Sequence, residues 1–432
     1  MAGNSFNLTA AEPIFKNVFN PRVEKQFNSA AVLWNDVFDG QGTMISNRGL
    51  EIPVHLAPNG DHAWFGDGGN LSAGASAVLN RAIVGFYSYN KTVAFTGAAL
   101  DAGGGGNETN YVKSLAFNVR DSVVQSIKEL NYYSFLDGTG IVAKVGGSVT
   151  LSTSANSTVD VTGAGDGARY LRPGETIDFM TGTTTPVKAT ATIVSVNNIL
   201  GAAGTTQLTA AGGAVTIVVG PASSAASLVS GDGITATGSF NKVMSGLKVI
   251  IDNGTFAANF QNINRAANPQ YNANVLTLSG TPPLTRDYLR RSIWLIQQAL
   301  GVAPVSKLRF WIHGAQLHAY VDMGWTLKQF NGQSMKLDLG YTAYEFEGIP
   351  MVVDTDAPRD TIYLVNKDSM LKVRARALSF DDRTGSILNR VPTAAGGWTD
   401  SFQAFLQFRG NLGCYTPLSN TAIVGLGIPS GY

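Results

Sequence analysis

Cysteine occurs once in the 432 residues, at Cys414, so no intrachain disulfide can staple the fold, and assembly in a reducing cytoplasm is the simpler expectation. Histidine is almost as scarce, with only His55, His62, His313 and His318. They form neither H-E-x-x-H nor a Cys/His cluster. Asp61, His62 and Asp67 share a loop but read as solvated turn residues, and no metal or cofactor is expected. There is no G-x-S-x-G, and Cys414 has no histidine beside it in sequence, so no centre for nucleophilic catalysis is advertised. The chain does not read as an enzyme.

Charge is also short. Charged residues make up 14% of the chain, against about 25% in ordinary soluble proteins. The 31 Lys and Arg against 30 Asp and Glu leave a net charge of +1. A dedicated nucleic-acid binder would show a basic excess, so only weak, non-specific contact with duplex DNA is expected. No window approaches the roughly 18 apolar residues of a membrane span. The opening MAGNSFNLTAAEPIF lacks a basic region followed by an apolar run, so neither a membrane partner nor a secretory leader is expected.

What is plentiful is glycine, 49 residues, with Ser, Thr and Ala. So few charges mean that much of the surface is covered by small polar residues or by another chain, and the second is favoured. Residues 1–43 read as an arm punctuated by Pro13 and Pro21, with Phe27, Ala31, Trp34 and Phe38 at helical spacing. Extended segments follow at 44–58 and 80–97. In the second, Tyr87, Tyr89, Lys91, Val93 and Phe95 alternate with Ser88, Asn90, Thr92 and Ala94. The Gly- and Asn-rich stretch between them, carrying Trp64 and Phe65, makes 44–97 a long two-stranded loop with an irregular tip. An isolated ribbon of this kind is marginal in water, so it is expected to lie on a neighbouring subunit.

After Gly103–Gly106, Asn107 can cap a long helix to about Leu136, with Val112, Leu115, Val119, Val123, Ile127, Leu130 and Tyr133 as its apolar stripe. The glycines resemble a phosphate cradle, but Asn107-Glu108-Thr109 replaces the Lys-Ser or Lys-Thr that a P-loop needs, which favours a hinge. Composition then shifts. The segment 141–240 has nine charged residues, among them Lys144, Arg169, Arg172, Glu175, Asp178 and Asp232. Short strands separated by Gly-rich turns predict a small all-β domain. A disordered linker is the alternative, against which stand the β-branched alternation and the turn Arg172-Pro173-Gly174-Glu175. Beyond 240 the chain reads as mixed α/β: a helix from Thr285 to Gly301, strands at 307–313, 349–354, 361–366 and 371–380, and an extended run through 402–409. Lys372, Arg374 and Arg376 alternate along one strand, predicting a cationic row that is either solvated, paired across subunits or turned to an anionic partner.

This order of elements resembles the major capsid protein of tailed bacteriophages, with the Hong Kong 97-like shell fold. The specific stretches are Met244-Ser245-Gly246-Leu247, then Phe260-Gln261-Asn262-Ile263-Asn264-Arg265-Ala266-Ala267-Asn268-Pro269, similar to the "GL … G-I-N-R … P" of one branch. Asn262 stands where the family usually has Gly. Glu347-Gly348-Ile349-Pro350-Met351-Val352-Val353 is similar to the start of an axial-domain strand. The resemblance implies an α+β chain with an N-terminal arm (1–43), an extended loop (44–97) and a peripheral domain with a spine helix (98–140). An inserted β domain (141–240), a peripheral return (241–280), a mainly axial domain (281–380) and a return strand to the peripheral domain (381–432) complete it. It also implies hexamers and pentamers in an icosahedral head around double-stranded DNA, a virion location after assembly in the host bacterial cytoplasm, and scaffold, portal and decoration or cement proteins as partners. Trp64, Phe65, Tyr87, Tyr89, Lys91, Arg374 and Arg376 become expected intersubunit contacts. Lys91 and the many Asn residues do not identify a covalent crosslink. An encapsulin-like nanocompartment shell and a β-rich surface adhesin are the competing readings.

Overall fold

The alternation near the C-terminus forms one strand of 17 residues, Trp398–Cys414, about 56 Å long at 3.3 Å per residue. Tyr87–Thr96 runs antiparallel along one side of it, and Met370–Phe380 and Asn389–Pro392 share the other. The computed structural model describes residues 31–37, 44–45, 49–59, 62, 64–67, 74, 76–97, 108–162, 170–181, 184–197, 215–301, 304–326, 335–336, 342–383, 385–392 and 397–429. Phe27, Phe38, Asp61, Gly103–Gly106 and Asn107 lie outside these, as do the helix side chains before residue 119.

The single strand predicted over 80–97 is corrected. The chain breaks at Gly85–Phe86 into Val78–Val84 and Tyr87–Thr96, which pair in different sheets. Alternation reports the face a side chain presents, not the strand it pairs with, so the pattern runs through the break unmarked. Val78–Val84 forms the ribbon with Gly49–Ala57, and Met44–Ile45 adds a short third strand. Leu50, Ile52, Ala82 and Val84 are buried in the main core at the ribbon's root, and Leu56 joins that core from level with Val78 and Leu79. The root is thus held by this chain itself, while Val78 and Leu79, at the outer end of the paired strands, are exposed among the described residues.

The helix Glu108–Tyr133 has 26 residues, about 39 Å of rise. Its C-terminal end is enclosed on several faces. The arm helix Val32–Asp36 buries Val32, Leu33 and Trp34 beside it, and Trp34 N–H donates to Asn131 Oδ1 at 2.8 Å. Lys128, which is not part of the apolar stripe, is nevertheless buried, 2.8 Å from Asp356. Asn131 donates to Asp354 at 3.1 Å and to Asp356 at 2.5 Å. A charge so buried is sustained only by such partners.

Between Ile141 and Ala236 six strands close into a barrel: Ile141–Val145, Ser157–Thr162, Thr176–Thr181, Thr184–Asn197, Val215–Val219 and Gly233–Ala236. Its interior holds Val159, Val161, Ile177, Phe179, Ile193, Ile217 and Ile234 as a core of its own. Closure removes the exposed edges that so many β-branched residues would otherwise present. The remainder is a seven-stranded mixed sheet in the order Asn274–Thr277, Thr421–Val424, Thr361–Asn366, Leu308–Ile312, Ile349–Val353, Thr342–Phe346, Met335–Lys336. Leu308, Phe310 and Ile312 meet Leu289, Ile293 and Ile296 of helix Arg286–Leu300 on one face. Trp311, Val352 and Tyr363 face the main core on the other. Burial on both faces explains why these strands read as unbroken apolar runs. Thr285 and Gly301 bound the helix as predicted; Gly301 takes φ 78°, while the Thr285 side chain makes no capping bond.

Candidate functional site

The expected contact residues fall into three places. Trp64 and Phe65 lie between the two ribbon strands in sequence and are 99% and 61% exposed among the described residues. Tyr87, Tyr89 and Lys91 point from the long sheet toward the helix and line a cleft of about 690 Å³ between sheet, helix and barrel. There the Tyr89 hydroxyl donates to Glu129 at 2.5 Å, and Lys91 Nζ donates to Glu129 at 2.8 Å and to Gln125 at 3.4 Å. Burial, and next the Glu129 charge, hold the Tyr89 phenol well above its usual range. Arg172 reaches across from the barrel, donating to Gln125 and standing 3.5 Å from Glu129.

The third place is the cationic row, and it does not survive. Lys372 is buried, donates to the Trp34 carbonyl at 2.9 Å and lies 4.7 Å from the centre of its ring. The register of Met370–Phe380 shifts between Arg374 and Arg376. Arg376 is drawn to Asp381 at 3.4 Å and donates to Gln407 at 2.9 Å. Arg374 is exposed. The bulge breaks the period of two on which the row depended.

The segments carrying the sequence resemblance have local physical reasons. Gly246 packs so closely on the end of the long helix that a Cβ would lie 2.2 Å from the Leu136 carbonyl oxygen. Leu247 N–H donates to the Ser134 carbonyl at 2.7 Å, and its side chain is fully buried. Gln261 and Asn262, at φ 50° and 64°, join Asn259–Phe260 to Ile263–Asn264 in a two-residue hairpin. Both central residues are left-handed, as a type I′ turn requires, and Asn tolerates that better than most residues. Glu347 and Gly348, at φ 51° and 79°, make the same kind of turn before Ile349–Val353.

Arg265 has no solvent exposure. Its guanidinium donates to the carbonyls of Val249 at 2.9 Å and Ile250 at 3.0 Å, and stands 3.3 Å from Asp252. Burial lowers its pKa, opposed next by Asp252. Cys414 is buried, and burial pushes its thiol up to about 11, an inert setting rather than a nucleophile's. His55 and His62 are exposed, and Asp61 lies outside the described residues. Among the described residues no three His, Cys, Asp or Glu side chains gather as metal ligands, and no helix is long and apolar enough to cross a membrane.

Sequence reasoning missed Glu129, Gln125, Glu175 and the pair Asp354 and Asp356. The pair carried a signal, two carboxylates directly after the buried run Ile349–Val353. The cleft residues carried none, because their partners come from elements far apart in sequence.

No protein-family model matches the chain, and no curated protein matches it. Among solved structures, a chain of the cyanophage A-1(L) capsid aligns with 94% of this chain and 96% of its own, at 11% identity and a TM-score of 0.52. The capsid of Myoviridae phage XM1 aligns over 94% and 96%, at 8% identity and 0.45. The SrpI encapsulin of Synechococcus elongatus PCC 7942 covers 36% of this chain and 53% of its own, at 11% identity and 0.27. The first alignment spans nearly all of both chains, and the chain has the fold of the cyanophage A-1(L) capsid chain.

Proposed function

We infer that this chain is the major capsid protein of a tailed bacteriophage, assembling as hexamers and pentamers into an icosahedral head around double-stranded DNA. The observation that carries this reading is the fold shared end to end with the cyanophage A-1(L) capsid chain. In this reading Glu108–Tyr133 is the spine helix, 141–240 the inserted β domain and 44–97 the extended loop. Residues 1–43 are the arm, 98–140 and 241–280 the peripheral domain, 281–380 mainly the axial domain, and 381–432 the return to the peripheral domain.

The ribbon's exposed apolar groups, Val78, Leu79, Trp64 and Phe65, are then covered by a neighbouring subunit, since large apolar groups of that exposure mark interaction surfaces. Exposed Arg374 is offered to a neighbour as well. Tyr87, Tyr89, Lys91 and Arg376 contribute through surfaces that their contacts within the chain shape. A net charge of +1 suits a vessel that touches DNA only through weak, salt-sensitive contacts. Portal, scaffold and decoration or cement proteins are the expected partners. The virion is the expected location, after assembly in the bacterial cytoplasm, and no catalytic role is assigned. Negative-stain microscopy of the purified chain tests the reading: closed shells are expected, and a chain that stays monomeric at every concentration and salt tried rejects it.

A further inference from the structure

The long strand Trp398–Cys414 loses its cover toward its start. Ala404, Leu406 and Phe408 are buried, Phe402 is half-buried, and Asp400 and Trp398 are exposed. Tyr87–Thr96 stops level with Ser401, and Asn389–Pro392 reaches only to Trp398. The sheet therefore ends in a projecting edge whose last residue is a tryptophan 66% exposed among the described residues.

The pleat sorts the side chains at this end. The hydroxyls of Thr399 and Ser401 meet at 2.7 Å on one side of the strand, which leaves Asp400 with Phe402 on the other. Arg390, the cross-strand partner of Phe402, lays its guanidinium over the Phe402 ring at 5.4 Å. One side thus carries an aromatic ring between a cation and a carboxylate, with Trp398 at the outer end opposite exposed Pro392. Neither Arg390 nor Asp400 has a hydrogen bond or ion pair among the described residues, whereas the nearby exposed Arg383 holds Asp381 at 2.7 Å. Aromatic groups at the centre with charged groups at the rim are the anatomy of a protein interface. The pattern is also complementary to itself: when a second copy faces it, the arginine of one meets the carboxylate of the other. A partner of one sign fits less well. Duplex DNA, anionic throughout, would repel Asp400, and an acidic segment would do the same.

We propose that the outer end of the long sheet, centred on Trp398 and Phe402, docks on the same surface of a second copy of this chain, with Arg390 of one copy facing Asp400 of the other. The contact rests on the capsid reading and adds to it an interface apart from the ribbon, carried by different strands. It gives Trp398 a cover that its own chain does not supply and gives each of the two charges the partner it lacks.

Charge reversal in the full-length chain tests the contact, with the yield of closed shells read by sedimentation and negative-stain microscopy beside the wild type. Asp400→Arg and Arg390→Asp should each lower that yield by about tenfold, because each sets like charges against each other. Both side chains are exposed, so the melting temperature of the soluble chain should not change. Combining the two reversals should bring the yield back to within about twofold of the wild type. A second readout keeps the surroundings of Trp398 intact: Pro392→Cys shells treated with a short bis-maleimide should give crosslinked dimers that the unassembled chain does not, the thiol of Cys414 being buried. A wild-type chain that forms no shells rejects the capsid reading and this contact with it. Wild-type shells together with full yield from either single reversal, a combined variant no better than the single ones, or no crosslink through Pro392→Cys overturn the contact alone.

Discussion

Arg265 is the fully buried charged residue of the resembling segment, and Arg265→Met tests what its contacts contribute. The substitution fills much of the same volume but removes a buried guanidinium bonded to Val249, Ile250 and, at 3.4 Å, Ala257, and paired with Asp252. Removing one partner of a buried ion pair costs about 3–5 kcal/mol, and each carbonyl left unpaired adds about 1–3 kcal/mol. Two features soften this. Asp252 keeps the backbone N–H groups of Gly254, Phe256 and Ala257 at 2.9–3.2 Å, and methionine packs against Phe260, over which the guanidinium lies at 4.7 Å. A net loss of about 4 kcal/mol is expected, and at about 2–4 °C per kcal/mol this is a fall of about 8–16 °C in melting temperature. Scanning calorimetry of the soluble chain reads it. The barrel, with a separate core, should melt within about 1 °C of its original temperature, as expected for a distant and independent unit. A body transition lowered by less than about 3 °C, or an equal fall of both transitions, refutes the argument.

Asn262→Gly should be neutral or stabilising by up to about 1 kcal/mol, whereas Asn262→Val, forcing a β-branched residue to φ 64°, should lose about 1–2 kcal/mol; urea midpoints compare them. The double change Trp64→Ala with Phe65→Ala should leave melting within about 0.5 kcal/mol of the parent, both groups being exposed, yet sharply lower the yield of closed shells in sedimentation. With its thiol raised from 9.0 to about 11 by burial, Cys414 at pH 8 should react with a thiol reagent about 100-fold more slowly in the folded chain than in urea. The sign follows from the thiolate being disfavoured in the fold: stability should decline as pH rises from 9 toward 11.

Elements that satisfy their own local rules were legible. Helix Arg286–Leu300 lies between Thr285 and Gly301, and Leu308–Ile312, Ile349–Val353 and Thr361–Asn366 match the predicted strands to within a residue or so at each end. Asn262, at the position where the resemblance leads to Gly, takes φ 64° in the turn, a conformation that Asn tolerates. What failed were inferences about neighbours. Lys128 lies off the apolar stripe, and helical spacing cannot show that the loop carrying Asp356 closes over it. The row Lys372, Arg374, Arg376 assumed an unbroken strand, and a register shift undid it. The cleft was invisible for the same reason: Lys91, Glu129 and Arg172 come from strand, helix and barrel, and only the tertiary fold brings them together.

The most direct test of the account is a cryo-electron microscopy reconstruction of the particles formed by the purified chain. The account predicts an icosahedral shell in which the ribbon of residues 49–84 lies across a neighbouring subunit, with Trp64 and Phe65 buried at that contact. Particles without icosahedral order, or a shell in which both side chains remain in solvent, would contradict it.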